Sequence, residues 1–379
     1  MAAVARGDDW SFGGEEPSAP AGEPSLPIDA ADSGIEHVIV VTMENRSFDH
    51  LLGWLRGADG VQAGLSFADP RGVERSTFAL APDYEGRAYA DPDHSYEGGR
   101  HQYANGECDG WLRATSEDLF PIGFYRQRDL SFYGRAAIAW TVCDRYFCSF
   151  LGPTDPNRLF LHAAATDRLE NTGELSRLPT IWDRLEERGL AGRYYFGNSP
   201  FLALWGERYR SICGGHSSFF ADAAAGDLPH VAFVDPRFTE PGESSANDDH
   251  PSTDVRRGQA FLAEVYAAVR ASPSWPRSVL VITYDEWGGF FDHVAPPLAP
   301  LTAQDPVIGN DGRLGFRVPC LVISPFARRG FVSHTQFDHT SILKMIEWRW
   351  GLDPLSSRDV AANNLALLLD FTKARRRAG

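Results

Sequence analysis

The sequence has few cysteines and no long apolar run. Its cysteines are odd in number and no two of them form a CxxC pair, so neither a disulfide framework nor a zinc finger is predicted. The five cysteines are Cys108, Cys143, Cys148, Cys213 and Cys320. No segment approaches the roughly 20 consecutive apolar residues of a transmembrane helix, and the opening stretch MAAVARGDDW has no signal-peptide core. We therefore expect reduced thiols, no transmembrane segment and a cytoplasmic location.

Basic residues are also scarce relative to acidic ones. The chain has 36 Lys and Arg against 51 Asp and Glu, which gives a net charge of -15. General binding to nucleic acid requires many surface Lys and Arg side chains that neutralise phosphates, so we expect no nucleic-acid partner. An anionic substrate would have to be attracted by local groups.

Two parts of the chain differ in composition. Residues 1–32 contain the stretch GGEEPSAPAGEPSLP, which has too little apolar surface to offset the entropy lost on ordering, and they are predicted to form a flexible leader. The remainder, residues 33–379, has no apparent internal repeat and is assigned to one domain. With 379 residues, of which 43% are hydrophobic, the chain is long enough for a large core.

Short β-branched runs alternate with amphipathic segments along this domain. The runs predicted as strands are residues 35–43, 193–196, 230–234, 278–284 and 318–323, and the predicted helices are residues 179–188, 255–270 and 336–350. Strands that alternate with helices indicate an α/β fold in which helices cover both faces of a mainly parallel central sheet.

Acidic groups follow three of the predicted strands. Glu44 and Asn45 follow the first, Asp235 follows VAFV, and Asp285 and Glu286 follow SVLVITY. Ligands of open α/β sheets bind beyond the carboxyl ends of the strands, so these side chains are expected at one site. Strand caps and turns are the alternative explanation for each pair taken alone.

Carboxylates gathered at one site repel each other unless they share a cation. We therefore predict that Glu44, Asn45, Asp285 and Glu286 hold one or more divalent metal ions. Oxygen ligands favour Mg, Ca or Mn, and added histidine nitrogens favour Zn or Fe. The identity of the metal stays open between Zn, Ca, Mg and Mn.

The segment GPTDPNR precedes a helix-like stretch. Backbone N–H groups and the helix dipole attract anions at such a position, so Thr154 is a candidate nucleophile, and Asn157 and Arg158 are candidates for holding phosphate oxygens. A helix cap and a turn explain the same residues equally well from this segment alone.

Three histidines lie in polar or glycine-rich loops. His94 is in DPDHSYEGGRHQY, His250 is in NDDHPSTDV and His293 is in DEWGGFFDHVAPP. A titratable imidazole in such a loop can contact a ligand and act as an acid or a phosphate hydrogen-bond donor. The paired glycines after Glu286 would permit a close approach of the backbone.

These motifs together resemble the bacterial phosphoesterase family that contains non-specific phospholipases C and related acid phosphatases, itself similar to the alkaline phosphatase superfamily. The matching stretches are HVIVVTMENRSFDHLLG, GPTDPNR, NDDHPSTDVRRGQAFL, LVITYDEWGGFFDHVAPP and FDHTSILKMIEWRWG. They occur in the family's order and span residues 35–351. The resemblance implies an alkaline phosphatase-like α/β fold and a hydrolase acting on phosphoric ester bonds.

The resemblance also assigns roles to individual residues. It implies that the four predicted ligands hold the metal beside Thr154, which is the family's hydroxyl nucleophile and forms a covalent phosphothreonine. His250 and His94 match phosphate-binding or acid-base histidines, whereas His293 and His339 are interpreted as structural. The implied activity is that of a phospholipase C.

This sequence departs from many relatives in three ways. Asp155 stands where they carry another residue after the threonine, often His, and neither their C-terminal accessory domains nor their secretion signals are visible. A phosphomonoesterase of the acid phosphatase type and a non-catalytic phosphoester-binding protein are the alternative functions. The expected partner is a phosphate ester, with phospholipid among the candidates.

Overall fold

The computed structural model describes residues 26–113, 118–240 and 245–372. Most of the predicted leader, residues 1–25, lies outside the described residues. Its last part does not behave as a leader, because Leu26 and Ile28 pack against the hydrophobic core and Ala30–Ser33 forms a 3-10 helix. The packed part of the chain therefore begins before residue 33. The assignment of all that follows to one domain stays a prediction.

The strands number twelve within the described residues. They are β1 His37–Met43, β2 Ser66–Ala68, β3 Glu74–Ser76, β4 Phe78–Ala79, β5 Gly123–Phe124, β6 Thr141–Cys143, β7 Gly192–Phe196, β8 Cys213–Gly215, β9 Val231–Val234, β10 Ser278–Tyr284, β11 Cys320–Ile323 and β12 Phe331–Ser333. Eight of them form one sheet in the order β12-β6-β11-β10-β1-β9-β7-β8. The other four form two small sheets, β2 with β3 and β4 with β5.

The large sheet is mainly parallel. β11 is antiparallel to both of its neighbours, β10 and β6, and the remaining pairs are parallel. Every residue of β10 is buried, as is every residue of β1 after His37, so both faces of the sheet centre are covered. The predicted α/β class with a mainly parallel central sheet is confirmed.

Ten α-helices surround the sheets in the described part of the chain. They are α1 Phe48–Leu52, α2 Tyr96–Tyr103, α3 Tyr133–Ala139, α4 Thr154–Ala163, α5 Ile181–Glu187, α6 His216–Ala225, α7 Val255–Ala271, α8 Asp305–Ile308, α9 His339–Trp350 and α10 Ser357–Ala361. The signals in the sequence explain several ends. Asp254 and Asp338 accept backbone hydrogen bonds at the starts of α7 and α9, and Gly351 ends α9 in the left-handed conformation.

The predicted elements occur where they were expected. The predicted strand at 278–284 is reproduced in full as β10, and the predicted helix at 255–270 differs from α7 by one residue. None of the helices within the described residues is both long and apolar enough to cross a membrane. The cytoplasmic location stays a prediction.

Candidate active site

Three parallel strands deliver their acidic residues to one edge of the sheet. β10, β1 and β9 are neighbours, and the register pairs Met43 with Tyr284 and Val41 with Val234. The residues after these strands therefore lie side by side. The backbone N–H of Asn45 donates to Asp285 Oδ1 over 3.1 Å, which ties the two strand ends together. The predicted convergence of acidic groups is confirmed.

Arg158 lies in the middle of these acidic groups. Its guanidinium is ion-paired with Glu44, with Asp235 Oδ1 at 3.0 Å and with Asp285 Oδ2 at 3.2 Å. The Arg158 side chain is fully buried. The prediction that Arg158 holds substrate phosphate is therefore wrong, because its guanidinium is already ion-paired with three protein carboxylates.

Burial perturbs these carboxyl groups strongly. Burial, followed by the charge of Asp285, raises the pKa of Glu44 well above its usual value, although Arg158 opposes the shift. Burial raises the pKa of Asp235 to about 6, again against the effect of Arg158. Burial and the charge of Asp285 likewise raise the pKa of Glu286. One arginine thus does not neutralise all of the acidic groups at this edge, so a further cation would be stabilised there.

Asn157 has a structural role. Its side-chain amide donates to the carbonyl groups of Phe150, Gly152 and Pro153 over 2.9–3.1 Å, and its Oδ1 accepts from the backbone N–H of Phe150. The side chain is completely buried. The prediction that Asn157 binds phosphate is wrong, because its hydrogen-bonding groups hold the loop that leads into α4.

Thr154 is the first residue of α4 and faces the acidic edge. Pro153 occupies the N-cap position, so the alternative explanation of Thr154 as a helix cap does not apply. Thr154 and Arg158 are four residues apart on one helix and therefore share a face, and Arg158 shows that this face points to Glu44 and Asp285. Within the described part of the chain, no residue hydrogen-bonds to the Thr154 hydroxyl. The hydroxyl is thus available for chemistry.

Two oxygen atoms at this edge are buried without a hydrogen-bond partner among the described residues. They are Asn45 Oδ1 and Glu286 Oε1. His94 Nε2 lies 3.3 Å from Asn45 Nδ2 and 3.9 Å from Glu286 Oε1, so both side chains point toward the same imidazole. An unpaired buried oxygen is costly, and a bound cation would remove that cost.

The glycines after Glu286 make this geometry possible. Gly288 has a φ of 64°, and a Cβ at this position would lie 2.0 Å from the carbonyl oxygen of Asn45. The backbone N–H of Gly288 donates to Glu286 Oε2 over 2.6 Å, which orients the carboxylate. The predicted close backbone approach is confirmed, since only glycine fits here.

The two predicted acid-base histidines come together. The ring centroids of His94 and His250 are 6.2 Å apart. Each ring directs Nδ1 to a carbonyl oxygen, of Pro92 at 2.7 Å and of Pro251 at 3.0 Å. Carbonyl oxygens only accept, so Nδ1 carries a proton in both rings. Nε2 of His94 then accepts from Asn45 Nδ2, whereas Nε2 of His250 is left to meet a ligand. His250 Nε2 also lies 3.8 Å from Asp91 Oδ2.

These donors suit a divalent metal ion. Asp91, His94 and His250 offer ligand atoms within 4.8 Å of one another, and the unpaired Glu286 Oε1 lies 3.9 Å from His94 Nε2. Of the predicted ligands, Asn45 and Glu286 have free oxygens, whereas Glu44 and Asp285 share Arg158.

A second cluster of charged residues lies away from this site. Asp49, Asp292 and His293 also offer ligand atoms within 4.8 Å, but Arg317 already supplies a cation there. Its guanidinium is 2.8 Å from Asp292 Oδ1 and 3.3 Å from Asp49 Oδ1. His293 bridges Asp49 and Asp59, which agrees with its interpretation as structural. His339, hydrogen-bonded to the carbonyl oxygen of Asp285 at 2.6 Å, is structural as well.

The His293 cluster predicts a pH-dependent stability. Burial opposes the charged ring, but the hydrogen bond and charge of Asp49 prevail and raise the pKa of His293 to about 9. The raised pKa means that the stabilisation is complete below the unfolded value of about 6.5 and is lost as the pH rises through about 9. Each whole number by which the folded pKa exceeds the unfolded pKa corresponds to about 1.4 kcal/mol of folding free energy. Solvent screens this partly exposed ring, so we expect the ion pair to contribute roughly 1–2 kcal/mol in all.

Urea unfolding of the wild type and His293→Gln at pH 6, 7.5 and 9 checks this expectation. The difference in free energy of unfolding between the two proteins should shrink toward pH 9. His101→Gln, at an exposed histidine whose side chain makes no ion pair within the described residues, is the matched control and should show no such trend. A constant difference for His293→Gln across the three pH values would contradict the assignment.

Sequence reasoning missed three residues at or beside the site. Asp91 lies next to His250, and its only signal is its position three residues before His94 in the same polar loop. The rings of Phe201 and Phe238 stack on the Arg158 guanidinium, with centroids 4.3 and 5.3 Å from Cζ. Nothing in the local sequence marks these two aromatic residues, because their partner is remote along the chain.

Most of this chain is similar in sequence to known proteins. The phosphoesterase family pattern matches residues 35–353. Non-specific phospholipase C1 of Arabidopsis thaliana is 34% identical over 376 residues, which cover 86% of this chain and 69% of the relative. Phospholipase C B of Mycobacterium tuberculosis is 33% identical over 390 residues, which cover 84% of this chain and 74% of the relative.

Solved structures are much less similar to this chain in sequence. A protein in the alkaline phosphatase superfamily from Vibrio parahaemolyticus aligns with 86% of this chain and 69% of its own at 10% identity, with a TM-score of 0.41. A lipoteichoic acid synthase from Listeria monocytogenes aligns with 90% of this chain and 80% of its own at 8% identity, with a TM-score of 0.46. Overlap at this level supports no inference about chemistry.

Proposed function

The chain belongs to the phosphoesterase family and is a hydrolase of phosphoric ester bonds, and from this we propose that it cleaves phosphodiesters as a phospholipase C does, with Thr154 as its nucleophile. The observation that carries the proposal is the free Thr154 hydroxyl on the helix face that Arg158 fixes against Glu44 and Asp285. The phospholipase C relatives named above support a phospholipid as the substrate.

In the first step, Thr154 releases its hydroxyl proton to solvent, Oγ1 attacks phosphorus, and the bond to the leaving alcohol breaks. The product on the enzyme is a covalent phosphothreonine, which carries the headgroup when the substrate is a phospholipid, and the alcohol released is then diacylglycerol. A divalent metal held by Asn45, Glu286 and neighbouring donors would lower the pKa of the hydroxyl and offset charge on the phosphoryl oxygens. In the second step, water attacks phosphorus, the bond to Thr154 Oγ1 breaks, and Oγ1 takes up a proton from solvent to regenerate the hydroxyl.

His250 is the better placed of the two histidines to protonate the leaving alcohol. His94 Nε2 is occupied by Asn45 Nδ2, whereas His250 Nε2 makes no hydrogen bond among the described residues and lies 3.8 Å from Asp91 Oδ2. In the second step the neutral His250 ring accepts a proton from the attacking water. His94 then orients the Asn45 side chain.

The charge of the site favours a diester over a monoester. A phosphomonoester is a dianion near neutral pH and requires additional cations, but the guanidinium of Arg158 is fully engaged by Glu44, Asp235 and Asp285. A phosphodiester carries a single negative charge and is repelled less by these carboxylates. The acid phosphatase activity therefore ranks second.

One purified sample assayed on three substrates tests the proposal. We expect turnover of p-nitrophenyl phosphorylcholine and phosphatidylcholine, with kcat/KM for the first at least about tenfold above that for p-nitrophenyl phosphate, or ~1.4 kcal/mol in transition-state binding. EDTA should abolish turnover, and one of Zn, Ca, Mg or Mn should restore it. Preference for p-nitrophenyl phosphate would favour the monoesterase, and no turnover with any metal would favour a phosphoester-binding protein.

A further inference from the structure

An apolar pocket opens beside the N-terminal end of α4. Its volume is about 370 Å³, within the range of roughly 300–1,000 Å³ for small-molecule sites. We define the apolar pocket by the six residues that form its apolar lining, namely Leu175, Pro200, Phe201, Ala203, Leu204 and Phe238. The Leu175 side chain is 63% exposed, so this surface is open to a ligand.

Both walls of the apolar pocket are attached to the candidate active site. On one side, Phe201 and Phe238 stack on the guanidinium of Arg158, which is bonded to the carboxylates at the sheet edge. On the other side, Thr172 lines the pocket and donates its backbone N–H to Asp155 Oδ2 over 3.1 Å, one residue after Thr154. The apolar pocket is thus joined to α4 at Asp155 and Arg158, the residues that flank the helix face of Thr154.

The charges among the lining residues restrict the occupant. Glu174 and Glu240 also line the pocket, and both are exposed. Neither is ion-paired with a cationic residue in the described part of the chain, and Glu240 only accepts a hydrogen bond from Ser199. These acidic side chains would repel a free fatty acid, whereas an uncharged chain is not repelled and gains from contact with the apolar lining.

We propose that the apolar pocket binds one acyl chain of a neutral glyceride, the alcohol portion of the lipid that leaves from phosphorus. This inference rests on the proposed phosphodiesterase function and names the substrate class of that site. The pocket acts as a specificity determinant, because each methylene that it buries strengthens binding by about threefold to fourfold. Lipids whose acyl chains are too short to reach the apolar pocket would not bind more tightly because of it.

Two variants alter the pocket without touching the catalytic residues. Leu175→Glu adds a charge at the opening, and Ala203→Trp fills the space from an exposed position. Ile138→Glu is the matched control, because Ile138 is a similarly exposed apolar residue, at 54%, on α3. Circular dichroism and thermal unfolding should show that all three variants fold as the wild type does.

Turnover of phosphatidylcholines with chains of increasing length, below their critical micelle concentrations, gives the first readout. In the wild type and Ile138→Glu, kcat/KM should rise about threefold to fourfold with each methylene that enters the pocket. In Leu175→Glu and Ala203→Trp the rise should flatten, while turnover of p-nitrophenyl phosphorylcholine stays within about twofold of wild type. A chain-length dependence equal in all four proteins would overturn the proposal.

Calorimetric binding in EDTA, where no turnover occurs, gives the second readout. Monooctanoylglycerol should bind to the wild type. Its binding to Ala203→Trp should be at least about tenfold weaker, and so should the binding of octanoate to the wild type. Equal binding of octanoate, undiminished binding to Ala203→Trp, or displacement of monooctanoylglycerol by choline would overturn the acyl-chain assignment. A wild type that binds monooctanoylglycerol but hydrolyses no diester would refute the proposed function and leave the pocket's ligand established.

Discussion

Thr154→Ala is expected to lower kcat for phosphodiester hydrolysis by roughly 10⁴-fold or more, because loss of a nucleophile removes the covalent step itself. The free energy of unfolding should change by less than about 0.5 kcal/mol, as is usual where no structural interaction is lost. The hydroxyl has no hydrogen-bond partner among the described residues, and Pro153 rather than Thr154 occupies the cap position. Steady-state assays on p-nitrophenyl phosphorylcholine and urea unfolding measure the two quantities.

Thr154→Ser is the matched control for this prediction. Serine keeps a hydroxyl at the first position of α4, so we expect measurable turnover with a covalent adduct on residue 154 detectable by peptide mass spectrometry. Metal content should be the same in both variants and in the wild type. Undiminished turnover in Thr154→Ala, or an adduct on another residue, would show that a different group attacks phosphorus.

Arg158→Met should destabilise the protein by about 3–5 kcal/mol, since removal of one partner from a buried ion pair leaves uncompensated charge. Here one guanidinium faces Glu44, Asp235 and Asp285, and all four side chains are almost fully buried. Urea unfolding in EDTA, which keeps metal from masking the effect, gives the free energy of unfolding.

Arg210→Met is the control for the Arg158 prediction. Arg210 pairs with Glu207 while both side chains are about four-fifths exposed, at 81% and 80%, and exposed pairs of this kind contribute little to stability. The two variants thus remove the same type of charge from opposite environments. A stable Arg158→Met protein with a raised KM would instead indicate that Arg158 contacts the substrate.

Much of the fold was readable in the sequence. The runs HVIVVTM and SVLVITY are rich in apolar, β-branched residues, which is the composition of strands covered on both faces, and both occur as β1 and β10. The polar residues that follow each run then had to lie at the carboxyl edge of a parallel sheet. Local composition and the general rules of parallel sheets were sufficient for this.

Residue roles within GPTDPNR were not readable in the same way. Asn157 and Arg158 have the side chains that bind phosphate in other proteins, and the sequence offers no sign that Asn157 would hold its own loop. Arg158 meets Glu44 and Asp285 across 114 and 127 residues of chain. Its assignment depends on how α4 packs against the sheet.

The sequence by itself determined the α/β class, the family, the strand ends that carry Glu44, Asn45 and Asp285, and the hydroxyl at the start of α4. These features depend on local hydrophobicity, chain order and motif, all of which are written in contiguous residues. Only the tertiary structure decided that Arg158 binds protein carboxylates, that Asn45 and Glu286 keep free oxygens beside His94, and that an apolar pocket adjoins the site. Contacts between remote side chains depend on burial and distance, which exist only after the chain has folded.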